Sequence, residues 1–195
     1  MAVKTSWYAT DTALGINFNT TYASVVNVYT SVTSTSLQDI NESMQNIAPD
    51  LLGTVRSGTD GSQWILLKAS TTITQFNYVM FDDSYNANSG TVAGVASGYQ
   101  LALAEFQNYG PVVTSTVDPG SNPVFWGMLR GYGAQVAMSG SSGTGVALNF
   151  GSAAGRVTIC TTNCALYGIM LYASGASDAA VECMVLYPRG TVVGG

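Results

Sequence analysis

Val124-Phe125-Trp126-Gly127-Met128-Leu129 is a six-residue run without a polar side chain. Side chains along a strand alternate between its two faces, so this run is apolar on both. In an antiparallel sheet one face ordinarily meets water and reads polar. The run therefore predicts a closed barrel covered by other elements, or a sheet whose second face is buried against other subunits.

On either side of that run lie further short strand signals, at 64–69, 76–81, 91–96, 100–105, 124–130, 135–138, 146–150, 156–160, 166–172 and 181–187. Turn-forming stretches separate them: Asp82-Asp83-Ser84-Tyr85-Asn86, Asp118-Pro119-Gly120-Ser121-Asn122-Pro123, Ser139-Gly140-Ser141-Ser142-Gly143-Thr144-Gly145 and Ser174-Gly175-Ala176-Ser177. Regular turn signals with no helical period between them predict an all-β fold, a small barrel or a sandwich.

Upstream the texture differs. Residues 1–35 are rich in Thr, Ser, Asn and Tyr, and the strand-forming run Tyr22-Ala23-Ser24-Val25-Val26-Asn27-Val28-Tyr29 needs a partner sheet to be stable. Ser36 with Asp39 forms a capping box, and Leu37, Ile40, Met44 and Ile47 follow at helical spacing before Pro49. This predicts one short helix at about 37–48. Residues 51–60, with Gly53, Gly58 and Asp60-Gly61, read as a linker. The organisation expected is an extended N-terminal arm with one short helix over 1–58, then a β-barrel or sandwich domain over 59–195.

At 195 residues the chain can bury roughly 70% of its unfolded surface. It is 47% hydrophobic but only 9% charged, against about 25% charged in an ordinary domain. Charge is what usually keeps a surface monomeric, so this chain expects neighbours. A net charge of −5, with six scattered basic residues, leaves no basic stripe for nucleic acid. No run of 18 apolar residues predicts a membrane span, and the polar start, Met1 to Ser6, predicts no secretory leader. The sequence contains no histidine, which removes the commonest general base and metal ligand. No catalytic, cofactor or metal residues are therefore assigned.

Local motifs carry blander readings. Gly140 to Gly145 lacks the Lys-Ser/Thr of a phosphate loop, and no helix signal follows it. Cys160, Cys164 and Cys183 would leave a zinc site one ligand short. An odd cysteine count predicts reduced, buried thiols. Asp82 and Asp83 read as a solvated turn, although with Asn86 they carry oxygens suited to calcium. The 20 aromatic residues suit a core, subunit contacts or a sugar-binding face.

The stretch Asp60-Gly61-Ser62-Gln63-Trp64-Ile65-Leu66-Leu67-Lys68-Ala69-Ser70-Thr71-Thr72-Ile73-Thr74-Gln75-Phe76-Asn77-Tyr78-Val79 resembles the opening of the head-decoration (cement) proteins of tailed bacteriophages. Asp82 to Ala87 resembles the acidic-polar loop of those chains, and Trp126-Gly127-Met128-Leu129-Arg130-Gly131 their central strand. Gly168-Ile169-Met170-Leu171 and Val185-Leu186-Tyr187-Pro188-Arg189 resemble their final pair. The resemblance covers about residues 60–190, and the long front segment departs from the simpler members. It implies a small β-barrel or β-tulip domain, homotrimeric, on the outer surface of the virion capsid. There it would bind the major capsid protein where capsomers meet. The chain would be made in the host cytoplasm, be no enzyme, and bind neither nucleic acid nor membrane. The alternative is a carbohydrate-binding module on a virion surface or fibre, with glycan contact through exposed aromatics. The contact residues expected are Trp7, Tyr8, Tyr22, Val25, Val26, Val28, Tyr29, Leu37, Ile40, Met44 and Ile47.

Overall fold

The computed structural model describes residue 18 and residues 52–91, 99–105, 116–120, 123–162, 164–176 and 179–190. All regular structure among them is β. The strands are β1 (Val55–Ser57), β2 (Gln63–Ala69), β3 (Ile73–Thr74), β4 (Tyr78–Phe81), β5 (Asn86–Ser89), β6 (Gln100–Leu103), β7 (Thr116–Val117), β8 (Val124–Ala137), β9 (Leu148–Phe150), β10 (Val157–Ile159), β11 (Leu166–Leu171) and β12 (Ala180–Gly190).

Five strands close on themselves in the order β2-β5-β4-β6-β8, and β8 returns to pair with β2 from Gln63↔Arg130 to Lys68↔Val124. Every pair in this barrel is antiparallel except β2 with β5. β8 is 14 residues long and runs beyond the ring. Its distal part pairs with β12, from Leu186↔Arg130 to Ala180↔Ala137, and the order continues through β11, β9 and β10. β8 is thus shared by a barrel and a second sheet.

The two apolar faces of the opening run now have separate destinations. Ile65, Leu67, Ala69, Val79, Phe81, Ala87, Ala102 and Phe125 come from all five barrel strands and form one buried cluster, the barrel interior. Ile73 and Val117, on the paired strands β3 and β7, join it. Their neighbours of opposite parity, Trp64, Leu66, Tyr78, Leu101, Leu103, Val124, Trp126 and Met128, lie on the barrel's outer face. They cluster with Val136, Leu148, Val157, Ile169, Leu171, Val181, Cys183 and Val185 from the second sheet. The barrel is therefore covered by its own chain, the first of the two arrangements that the sequence allowed. Interior space is tight: a Cβ at Gly127 would lie 2.9 Å from Leu67 Cδ1 and 3.0 Å from the Ala102 Cβ. Glycine at that position lets β8 close the ring.

Phe18 belongs to the outer cluster. It is fully buried, stacked on Trp64 with centroids 5.0 Å apart and edge-on to Trp126 at 5.1 Å. The other residues of 1–51 lie outside the described residues, and with them the helix expected at 37–48. Most of the strand expected at 91–96 lies outside them as well.

Three expectations need correction. The segment read as a linker contains β1, which pairs with β2 through Val55↔Ile65, Arg56↔Trp64 and Ser57↔Gln63. The strands expected at 124–130 and 135–138 are one strand, because Tyr132 and Gly133 form a bulge within it rather than a break. Cys160 and Cys164 are not reduced thiols: they form a disulfide between β10 and β11 across a Cα separation of 5.5 Å, well within reach of such a bridge. Cys183 is the buried free thiol, and burial pushes its pKa up.

Candidate interaction face

The second sheet turns one side to the barrel and the other outward. Among the described residues seven large apolar side chains are exposed, and six of them cluster here: Tyr132, Tyr167, Met170, Tyr172, Leu186 and Tyr187. Only Val55 lies elsewhere. Scattered surface hydrophobes are ordinary, whereas a contiguous set marks an interaction site.

Backbone irregularities assemble this set. Between Gly131↔Val185 and Ala134↔Cys183, β8 places two residues, Tyr132 and Gly133, opposite the single Met184 of β12. Gly133 takes a φ of +69°, and its N–H, released from the ladder, donates to the Tyr172 hydroxyl at 2.9 Å. That bond holds the Tyr172 ring across β12. Burial raises the pKa of this phenol, so it keeps its proton and its partner at neutral pH.

A larger irregularity lies at the other end. Between Tyr167↔Arg189 and Ile169↔Val185, β12 carries three residues, 186–188, opposite the lone Gly168. A Cβ at Gly168 would sit 2.5 Å from the Leu186 carbonyl oxygen, and the residue has a φ of +79°. Glycine is required there on both counts. The arch turns both Leu186 and Tyr187 outward, while Tyr187 adopts a φ of +49°. Left-handed backbone at a bulky aromatic is costly and persists only where the surroundings impose it. The Tyr187 hydroxyl donates to Gln63 Oε1 of β2, tying the arch to the barrel. Across β11, Met170 pairs directly with Met184, giving the centre of the face two polarizable, adaptable side chains. Arg130, opposite Leu186, and Arg189, opposite Tyr167, are exposed at its margin. An apolar centre with a charged rim is the anatomy of a protein interface.

Beneath the face lies a buried acid. Glu105 follows β6, is 3% exposed, and accepts the N–H of Gln135 on β8. Burial pushes its pKa up to about 8, against that accepted hydrogen bond, which lowers it. The buried Cys183 thiol of β12 feels its charge, as well as that of Glu182.

The contact residues expected from sequence, Trp7, Tyr8, Tyr22, Val25, Val26, Val28, Tyr29, Leu37, Ile40, Met44 and Ile47, all lie outside the described residues. The one signal that could have found the face is the density of Tyr and Met in 166–172 and 182–187; its alternation is scrambled by the irregularities at Gly168 and Tyr187. The acidic turn is self-contained: Asp82 Oδ1 accepts the N–H groups of Ser84 and Asn86, both at 2.9 Å, and the Asn86 bond chiefly holds its pKa low. Comparison of the chain with protein-family models, with curated proteins and with solved structures finds no match.

Proposed function

We propose that the chain is a non-catalytic structural protein that decorates and stabilises the capsid of a tailed bacteriophage. On this reading it binds the major capsid protein where capsomers meet, on the outer surface of the virion, as a homotrimer. The observation that carries the proposal is the gathering of Tyr132, Met170, Tyr172, Leu186 and Tyr187 on the outward side of the sheet that covers the barrel. The barrel needs no partner to hide its own apolar surface, so these side chains are left for something else. A chain with 9% charged residues has little to keep such a face from association. The order of the motifs at 60–79, 126–131, 168–171 and 185–189 supplies the identity of the partner.

Two exposed tyrosines on one face, Tyr132 and Tyr172, support the second reading, a carbohydrate-binding module on a virion surface or fibre.

The two readings separate in co-sedimentation with undecorated heads of the cognate phage. Wild-type protein is expected to pellet with heads. Met170→Asp and Leu186→Asp are expected to reduce that binding at least tenfold, with unfolding midpoints close to wild type because both side chains are already exposed. Wild-type protein that ignores heads but binds a glycan array through Tyr132 and Tyr172 would replace the decoration reading with the second. Full decoration by both aspartate variants would place the docking surface elsewhere.

A further inference from the structure

Most phenols of the outward face direct their hydroxyls to the chain itself. Tyr167 Oη donates to the Cys164 carbonyl at 3.0 Å, Tyr187 Oη donates to Gln63 Oε1, and the Tyr172 hydroxyl accepts the Gly133 N–H. Arg130 and Arg189 differ. Both are exposed, and neither guanidinium has an ion-pair or hydrogen-bond partner among the described residues. Arg156, by contrast, donates to the Met138 carbonyl at 3.3 Å.

The two free cations bracket the arch at 186–188. β2, β8 and β12 lie side by side, and Gln63, Arg130 and Leu186 are successive partners across them. Directly opposed residues share a face of the sheet, so Arg130 stands on the side of exposed Leu186, where the Tyr187–Gln63 bond crosses β8. Arg189 follows the arch at its other end, opposite Tyr167.

A guanidinium offers N–H donors in a planar fork and no acceptor, and its best match is a carboxylate held by two parallel hydrogen bonds. Between the forks stand Leu186 and Tyr187, which suit an apolar side chain. The rest of the chain discriminates. With 11 acidic residues against 6 basic and a net charge of −5, the surface at large repels an anionic partner and steers it to the two cations. Nucleic acid would need a longer basic stripe.

We infer that the 186–188 arch, with Arg130 and Arg189, is a docking site for an acidic protein segment, whose apolar side chain meets Leu186 and Tyr187 and whose carboxylates meet the two guanidinia. On the decoration reading, on which this rests for its source, the segment belongs to the major capsid protein.

Arg130→Glu and Arg189→Glu change the net charge by the same amount as Lys68→Glu, an exposed position at the far end of the β2–β8 pairing, opposite Val124. All three variants are expected to keep the wild-type unfolding midpoint. In co-sedimentation with cognate heads, each arginine variant is expected to bind at least tenfold more weakly, with a shallower salt dependence, and Lys68→Glu to bind within about twofold of wild type. Arginine variants that bind like wild type, or an equal loss in Lys68→Glu, would overturn the inference and leave decoration standing. Wild-type protein that ignores heads would instead overturn decoration, and capped peptides then decide the chemistry of the site. A Leu-Phe core flanked by glutamates is expected to bind wild type at least tenfold more tightly than the same core flanked by lysines, and to lose that preference in the double variant Arg130→Glu/Arg189→Glu. Equal binding of the two peptides, binding of neither, an unchanged preference in the double variant, or a single-stranded oligonucleotide that binds as tightly as the acidic peptide would overturn the inference.

Discussion

The unfolding free energy is expected to fall as the pH rises from about 5 to about 8, and Glu105→Gln is expected to remove most of that fall. The sign follows from the direction of the shift. Burial lifts the Glu105 pKa from 4.5 to about 8, so between those values the folded chain holds a proton that the unfolded chain has lost. Stability from this group is fully present below the unfolded value and is lost as the pH rises through the folded one. A shift of that size corresponds to an effect on the order of 5 kcal/mol. The neighbouring Cys183 thiol has its own pKa raised by burial and stays neutral over the range. Glutamine keeps an oxygen that can accept the Gln135 N–H and removes the titration. Denaturant unfolding of both proteins at pH 5, 7 and 9 measures the difference; parallel pH profiles for the two would contradict the assignment.

The second large effect lies far from the barrel in sequence. Phe18→Ala is expected to lower stability by about 3–5 kcal/mol, the range for deleting a fully buried aromatic ring, whereas Phe18→Leu should cost less than half of that. The side chain is 0% exposed and touches both Trp64 and Trp126, so truncation leaves a cavity between two rigid rings. Those rings also make the change visible, as a shift in Trp emission. An unfolding midpoint for Phe18→Ala equal to that of the wild type would mean that the contact contributes nothing to the fold in solution.

How much of this was legible in the sequence depended on whether tertiary context overrode local pattern. The two-faced apolar run at Val124 to Leu129 narrowed the choice to a covered barrel or a sheet buried against other subunits, and the structure, with Phe125 and Trp126 enclosed on opposite faces of one strand, is the first of these. β5 was not legible: Asn86-Ala87-Asn88-Ser89 holds no strand former, and it pairs because β2 and β4 flank it. β1 was missed for a similar reason, its three residues lying among glycines that read as a linker. Gly133 read as a break when it is a bulge, and the spacing of Cys160 and Cys164 gave no sign that a turn would bring them together. The interaction face was the least legible feature. Tyr167 and Met170 are three apart, and Leu186 and Tyr187 adjacent, so no simple alternation places them on one side. Only the irregularities at Gly168 and the 186–188 arch do so.

That face is the centre of the account, and hydroxyl-radical footprinting of the protein free and bound to phage heads examines it most directly. Oxidation of Met170, which is 46% exposed, is expected to drop several-fold on binding, together with that of Tyr132 and Tyr172. Val55, equally exposed on β1, is expected to react as before. Saturated binding to heads with Met170 and the two tyrosines labelled as in the free protein would contradict the account.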